Sequence, residues 1–179
     1  MFGLFGKKEA TIKVKDKVWV TGEAKLQAFI NEWKKNPGIV FIFWFDESLR
    51  QVESFFAGQA TTAPVLLTAR ETNTFHLAGK KIIVAEHYPL QQKENEFFQK
   101  LNLQEAEIWS ALDEPLFKHF GSEKIIQMMK QLGMKENEVI ENAMISKAIL
   151  SVQEKISKKI IIDQAAQSQD DWLQKNLNA

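Results

Sequence analysis

Apolar positions along the chain recur in two periods, and the switching between them predicts strands and helices in alternation. Lys17–Val20 (KVWV) alternates in period two and reads as a strand. Thr21 then offers an N-cap, and Leu26, Phe29, Ile30 and Trp33 recur at helical spacing until Asn36-Pro37-Gly38 stops the helix. Ile39–Phe45 (IVFIFWF) is an unbroken apolar run, the mark of a strand buried on both faces. Asp46 is expected to cap the next helix, whose apolar face is Leu49, Val52, Phe55 and Phe56 and which Gly58 ends. Pro64–Thr68, Lys81–Glu86 and Glu107–Leu112 read as further strands, and Pro89 opens a helix running to about Leu101. Ala69–Lys80 is too short and too polar for a crossover helix, so a loop or small hairpin is expected there. Strands and helices joined by short turns imply an α/β fold with a doubly wound, mostly parallel sheet.

Beyond Gly121 the period becomes wholly helical. Ser122 is expected to cap a helix carrying Ile125, Ile126, Met129 and Leu132, with Gly133 in the place of a C-cap glycine. A polar link, Lys135–Asn142, leads to a last long helix striped by Ile145, Ile149, Val152, Ile156 and Ile160. The chain thus divides into a short tail (1–12), an α/β domain (13–121) and a helical extension (122–179). Leaving several isoleucines in water costs about 1.5–3 kcal/mol each, so the stripe must be covered. Self-association through this helix is the expectation, with fold-back onto the domain as the alternative. Ile145, Ile149, Val152 and Ile156 are then the partner-binding candidates.

Composition narrows the functional classes. Lys+Arg and Asp+Glu are equal at 23 each, and the only arginines are Arg50 and Arg70. A nucleic-acid reader normally carries a basic surplus rich in Arg, so no nucleic-acid partner is expected. The absence of cysteine removes disulfides and thiolate sites, and no metal is expected. Met1–Glu9 is apolar then basic, but shorter than a signal core, and no apolar run approaches the roughly 20 residues of a spanning helix. A cytoplasmic chain is expected, with at most peripheral membrane contact at the inner face through that first segment.

The motifs of phosphate chemistry are missing. No two of the eight glycines stand five apart, as a P-loop requires, or two apart, as a dinucleotide fingerprint requires. No serine elbow or paired-histidine zinc helix is present. What remains lies in Lys81–Asn95, where Glu86 and His87 fall at the carboxyl end of a strand, the usual ligand edge of a parallel sheet. They are weak candidates, with Arg70, for a small-ligand or nucleotide site; the plainer reading is a solvated strand end. Asp46 is better explained as a cap than as an acid, and His76 and His119 as surface or packing residues.

Ile108–Lys159 carries a specific pattern. It contains an aromatic strand and the turn Ser110-Ala111-Leu112-Asp113-Glu114 within Ile108–Glu114, then Phe120, Gly121 and Ser122 followed by an acidic-basic pair. Leu132, Gly133 and Met134 follow, then Ile140–Glu141 and a helix opening in Ser146 and Lys147. In this order the stretch resembles SecA, the ATP-driven motor of bacterial protein export, at the end of its second, RecA-like nucleotide-binding domain and the start of its long scaffold helix. Upstream, Lys17–Ile30 is similar to that domain's entry strand and helix, including Glu23–Lys25.

The resemblance implies a RecA-like sheet and a role beside protein export, and it also marks departures. Where the family places arginines toward the terminal phosphate, this chain has His87, Gln91, Gln92 and Lys93. The first motor domain has no counterpart. The expectation is therefore a non-catalytic module with no cofactor and a protein partner, the full-length motor or its membrane channel. The matched residues are taken as structural.

Overall fold

The computed structural model describes residues 12–58, 63–131 and 133–177. The expected membrane-touching segment Met1–Glu9 and the motif residue Leu132 lie outside them. Five strands form one sheet: β1 (Lys13–Trp19), β2 (Val40–Phe43), β3 (Val65–Thr68), β4 (Ile82–Val84) and β5 (Glu105–Ala111). Their order is β1-β5-β4-β2-β3, and every pairing is parallel.

Helices cover both faces because the strands alternate apolar side chains to each side. On one face α1 (Gly22–Lys35) and α2 (Asp46–Ala57) set Phe29, Ile30, Val52 and Phe56 against Phe41, Ile83 and Trp109. Phe29 lies 4.8 Å from Phe41 and 5.3 Å from Trp109 between ring centres, so aromatic packing fixes this layer. On the other face α3 (Thr74–Leu77) and α4 (Gln91–Lys100) set Leu77, Phe97 and Phe98 against Val40, Ile42, Val84 and Ile108.

Local chemistry explains where the elements start and stop, and where the sequence reading needs correction. Thr21 caps α1, its hydroxyl accepting from the Ala24 amide at 3.2 Å. Asp46 does not cap α2: Phe45 holds the cap position, and Asp46 is the first helical residue, its carboxylate turned to Arg70 at 2.7 Å. Ala69–Lys80 is not a plain loop. Asn73 accepts from the Phe75 and His76 amides at 3.0 and 3.2 Å and starts the one-turn α3, which buries Leu77.

After β5 the short α5 (Pro115–His119) ends the α/β domain, and the extension contains α6 (Ser122–Gln131), α7 (Ala143–Ser157) and α8 (Gln169–Leu177). Ser122 is the first residue of α6 and sends its hydroxyl to the Leu112 carbonyl. Gly121 and Gly133 have φ of +82° and +78°, the left-handed region that glycine enters without strain. At Gly133 the amides of Gly133 and Met134 return to the carbonyls of Lys130 and Met129, closing α6. The Lys135–Asn142 link is not free: Ile140 exchanges both backbone hydrogen bonds with Val18 on the outer edge of β1, at 2.7 and 3.1 Å.

The stripe expected to pair with a second copy is covered by the chain's own domain. Ile149 packs with Val18, Leu112 and Phe117, and Ile156 with Phe45, Leu116 and Trp172. Ile145 and Val152 lie beside the same clusters, so the fold-back alternative describes this helix. Helix α8, which the periodicity did not signal, closes the arrangement by burying Trp172 and Leu173. Among the described residues no helix is long and apolar enough to cross a membrane.

Candidate functional site

A cavity of about 440 Å³ opens at the carboxyl edge of the sheet, the position where open parallel sheets hold ligands. The starts of α1, α2, α5 and α8 surround it, contributing Gly22, Glu47, Pro115 and Gln169. Helix N-termini present unpaired amides, which make such edges attractive to anions. Here the chain's own side-chain oxygens take them. Gly22 donates to Asp113 at 2.8 Å, at the start of α1. Trp44 and Phe45 donate to Glu86 at 3.1 and 3.2 Å, before α2. Ala111 donates to Glu114 at 3.0 Å, and Leu116 to the Gln169 side chain at 2.7 Å.

Charge points the same way. Among the described residues Glu23, Glu47, Glu86, Asp113, Glu114 and Asp170 line the cavity against one cation, Lys25. Lys25 is already engaged: its ammonium pairs with Glu114 and donates to the Ala85 carbonyl at 2.8 Å. Burial pushes the Glu86 carboxyl up to about 7, against the pull of the Lys25 charge and the Ser48 hydroxyl that donates to it at 2.7 Å. Burial also raises the Glu114 carboxyl, again opposed by Lys25. An edge of this sign repels phosphate and suits a cationic or hydrogen-bond-donating surface.

The three site candidates read from sequence do not converge. Arg70 is exposed, pairs with Asp46 and lines a separate hollow with Trp44 and Tyr88. Glu86 faces the carboxyl-edge cavity, whereas its neighbour His87 lines a third cavity between α4 and α7. Neither is solvated, since Glu86 is 5% and His87 2% exposed. His87 stands between two carboxylates, with Nδ1 2.9 Å from Glu94 and Nε2 3.1 Å from Asp16. Burial opposes its charge, but Glu94 and Asp16 outweigh that and raise its pKa to about 10. The Asp16 carboxyl is held below its usual range: burial works against this, and the His87 and Ser146 side chains prevail.

The matched motif residues are scattered over the extension. Phe120 packs against the cluster around Leu116 and Trp172, Ser146 lies beside Asp16, and Lys147 is exposed. Sequence reasoning missed Lys25, Asp113 and Glu114 as one constellation. The signal was present: Asp113-Glu114 follows a strand, and Lys25 sits one turn into a helix that follows another.

Among known proteins, the chain is similar to protein translocase subunit SecA of Clostridium beijerinckii, 36% identical over 84 residues, which are 45% of this chain and 10% of that protein. It is 27% identical to SecA of Acidithiobacillus ferrooxidans over 118 residues, 64% of this chain and 12% of that protein. It is 34% identical to SecA of Maridesulfovibrio salexigens over 84 residues, 45% and 10% of the two chains. No family model matches. The chain spans about a tenth of the length of the curated relatives it matches, and a segment of it is related to SecA.

Proposed function

We propose that this chain is a non-catalytic interaction module that serves protein translocation by docking on a partner. It corresponds in this reading to the second nucleotide-binding domain of SecA with the start of the scaffold helix, and it acts in the cytoplasm or peripherally at the inner face of the membrane. The observation that carries the reading is the filled carboxyl edge. Glu86, Asp113 and Glu114 take the amides that a phosphate would need, and Lys25 is neutralised by Glu114. Gamma-phosphate transfer depends on amide donors and cations poised toward the developing charge. This edge supplies the opposite sign.

With the α7 stripe covered, the acidic edge is the surface whose charge favours a partner. The partner favoured by the SecA relationship is a full-length SecA motor or its membrane channel. The test uses the purified chain immobilised against purified full-length SecA. Saturable binding that weakens on Glu47→Lys and Asp170→Lys, two substitutions at the cavity rim, is the expected result. Absence of binding to both motor and channel sinks the partner assignment. ATP hydrolysis by the chain alone at a motor-like rate sinks the non-catalytic reading.

A further inference from the structure

The cavity between α4 and α7, about 370 Å³ and walled on its third side by β1, plays no part in the carboxyl-edge site. Eight polar side chains line it, and four of them meet at its floor from strand, loop and helices: Asp16, His87, Glu94 and Gln153. The side chains of these four are each more than nine-tenths buried. Their charges do not cancel. An imidazolium between two carboxylates leaves one net negative charge, a neutral imidazole leaves two, and no Lys or Arg among the described residues lines the cavity. A buried charge without a counter-charge is strongly unfavourable.

Hydrogen bonding shows the same deficit. Glu94 is fully engaged, accepting from the Tyr88 amide at 2.8 Å and from the Gln153 side-chain amide at 2.9 Å, besides its contact with His87. Gln153 Oε1 and Asp16 Oδ1 have no hydrogen-bond donor. The His87 Nε2 group stands 3.1 Å from Asp16 Oδ1 as an ion-pair contact without hydrogen-bond geometry, and Nε2 has no other partner. The missing element is a cation that donates N–H bonds. Of the remaining walls, Ile12, Val14, Ile149 and Leu150 are apolar, and Gln91, Asn95, Gln99 and Ser146 are polar.

The geometry points to a binding site for a small primary alkylammonium ion, its N–H donors on Gln153 Oε1 and Asp16 Oδ1 and its alkyl body against Ile149 and Leu150. A bare inorganic cation leaves the apolar wall in water. An alcohol leaves the charge uncompensated, and an anion adds to it. An alkylammonium answers the charge, the two acceptors and the apolar part of the wall together.

The probe is n-butylammonium chloride, titrated into the full chain at constant ionic strength and followed by calorimetry and by the Gln153 side-chain amide resonance. One-site saturable binding that moves this resonance is expected, with potassium, tetramethylammonium and n-butanol each weaker by about tenfold or more. Leu150→Trp, at the half-open rim, abolishes binding while the melting temperature holds. Asp16→Asn weakens it by a similar factor; if that variant does not fold, Leu150→Trp decides. No saturable binding overturns the site, as does an equal response to tetramethylammonium or butanol. Binding that survives Leu150→Trp unchanged overturns it too.

Discussion

Gln153 donates its side-chain amide to the backbone carbonyl of Tyr88 at 2.8 Å, which fastens α7 to the segment leaving β4. The same nitrogen reaches Glu94 on α4, so one buried glutamine joins three elements. Gln169 makes the matching tie from α8, donating to the His87 carbonyl at 3.1 Å while accepting from Leu116. Tyr88, Trp172 and Asp163 complete the seam: the Tyr88 hydroxyl and the Trp172 ring nitrogen both donate to Asp163 at 2.8 Å. The extension is thus keyed onto the strand ends by directional bonds as well as by apolar burial.

Removing that key has a measurable consequence. Gln153→Leu keeps the volume but leaves the Tyr88 carbonyl and one Glu94 oxygen without a donor, at a cost of about 1–3 kcal/mol. The urea midpoint falls accordingly. Amide exchange rises first in α7 and α8 and leaves β2 and β5 protected. Uniform loss of protection would show that the extension has no separate attachment.

The stripe from Ile145 to Ile160 shows how far the sequence could be read. Its period fixed a helix with one wet and one dry face, and the unbroken run at Ile39–Phe45 fixed a strand buried on both faces, because each is a local property. What covers the stripe is not local. A second copy and the chain's own domain satisfy the same pattern, and only the placement of Phe45, Leu116 and Trp172 decides between them. Helix α8 escaped for a related reason: Gln169–Leu177 is short and mostly polar, and three buried residues, Gln169, Trp172 and Leu173, hold it. The Lys25–Glu114 pair joins residues 89 positions apart, and Asp16 meets His87 across a similar distance in sequence, so no spacing rule could have joined them.

Placing a charge on the covered stripe tests the fold-back directly. Ile156 is fully buried against Phe45, Leu116 and Trp172. Ile156→Asp loses the transfer energy of the side chain and buries a carboxylate without a partner, together on the order of 3–5 kcal/mol. Light scattering of the wild-type chain gives a monomer, and the variant binds a hydrophobic dye and melts early. A wild-type dimer dissociated to a folded monomer by this substitution would instead restore the pairing expected from sequence.

The His87 cluster sets an alkaline limit. Its pKa is 6.5 in the unfolded chain and about 10 in the fold, so the folded state holds the proton more tightly. That stabilisation is complete below pH 6.5 and is lost as pH rises through about 10. The unfolding free energy across that window therefore falls by an amount on the order of a few kcal/mol, and the denaturation midpoint falls with it. His87→Gln starts lower and loses this slope. A parallel slope in the variant would place the alkaline loss elsewhere.

Glu86 works in the neighbouring window, and its substitution has the opposite sign. Its carboxyl titrates at 4.5 in the unfolded chain and is raised to about 7 in the fold, mainly because burial disfavours the charge. The folded state thus binds the proton more tightly. Stability from this group is greatest below pH 4.5 and declines as pH rises to about 7, where the native carboxyl gives up its proton. Glu86→Gln carries no charge to bury. Its carbonyl can still accept from Trp44 and Phe45, and its amide can donate to Ser48, so the three existing bonds have counterparts in the variant. The variant should match the wild type near pH 4.5 and exceed it at pH 8, with the difference growing across the interval. A variant weaker than the wild type at pH 8 would mean that the Lys25 charge and the three donors hold Glu86 ionised. The carboxyl edge would then need that negative charge for its own packing.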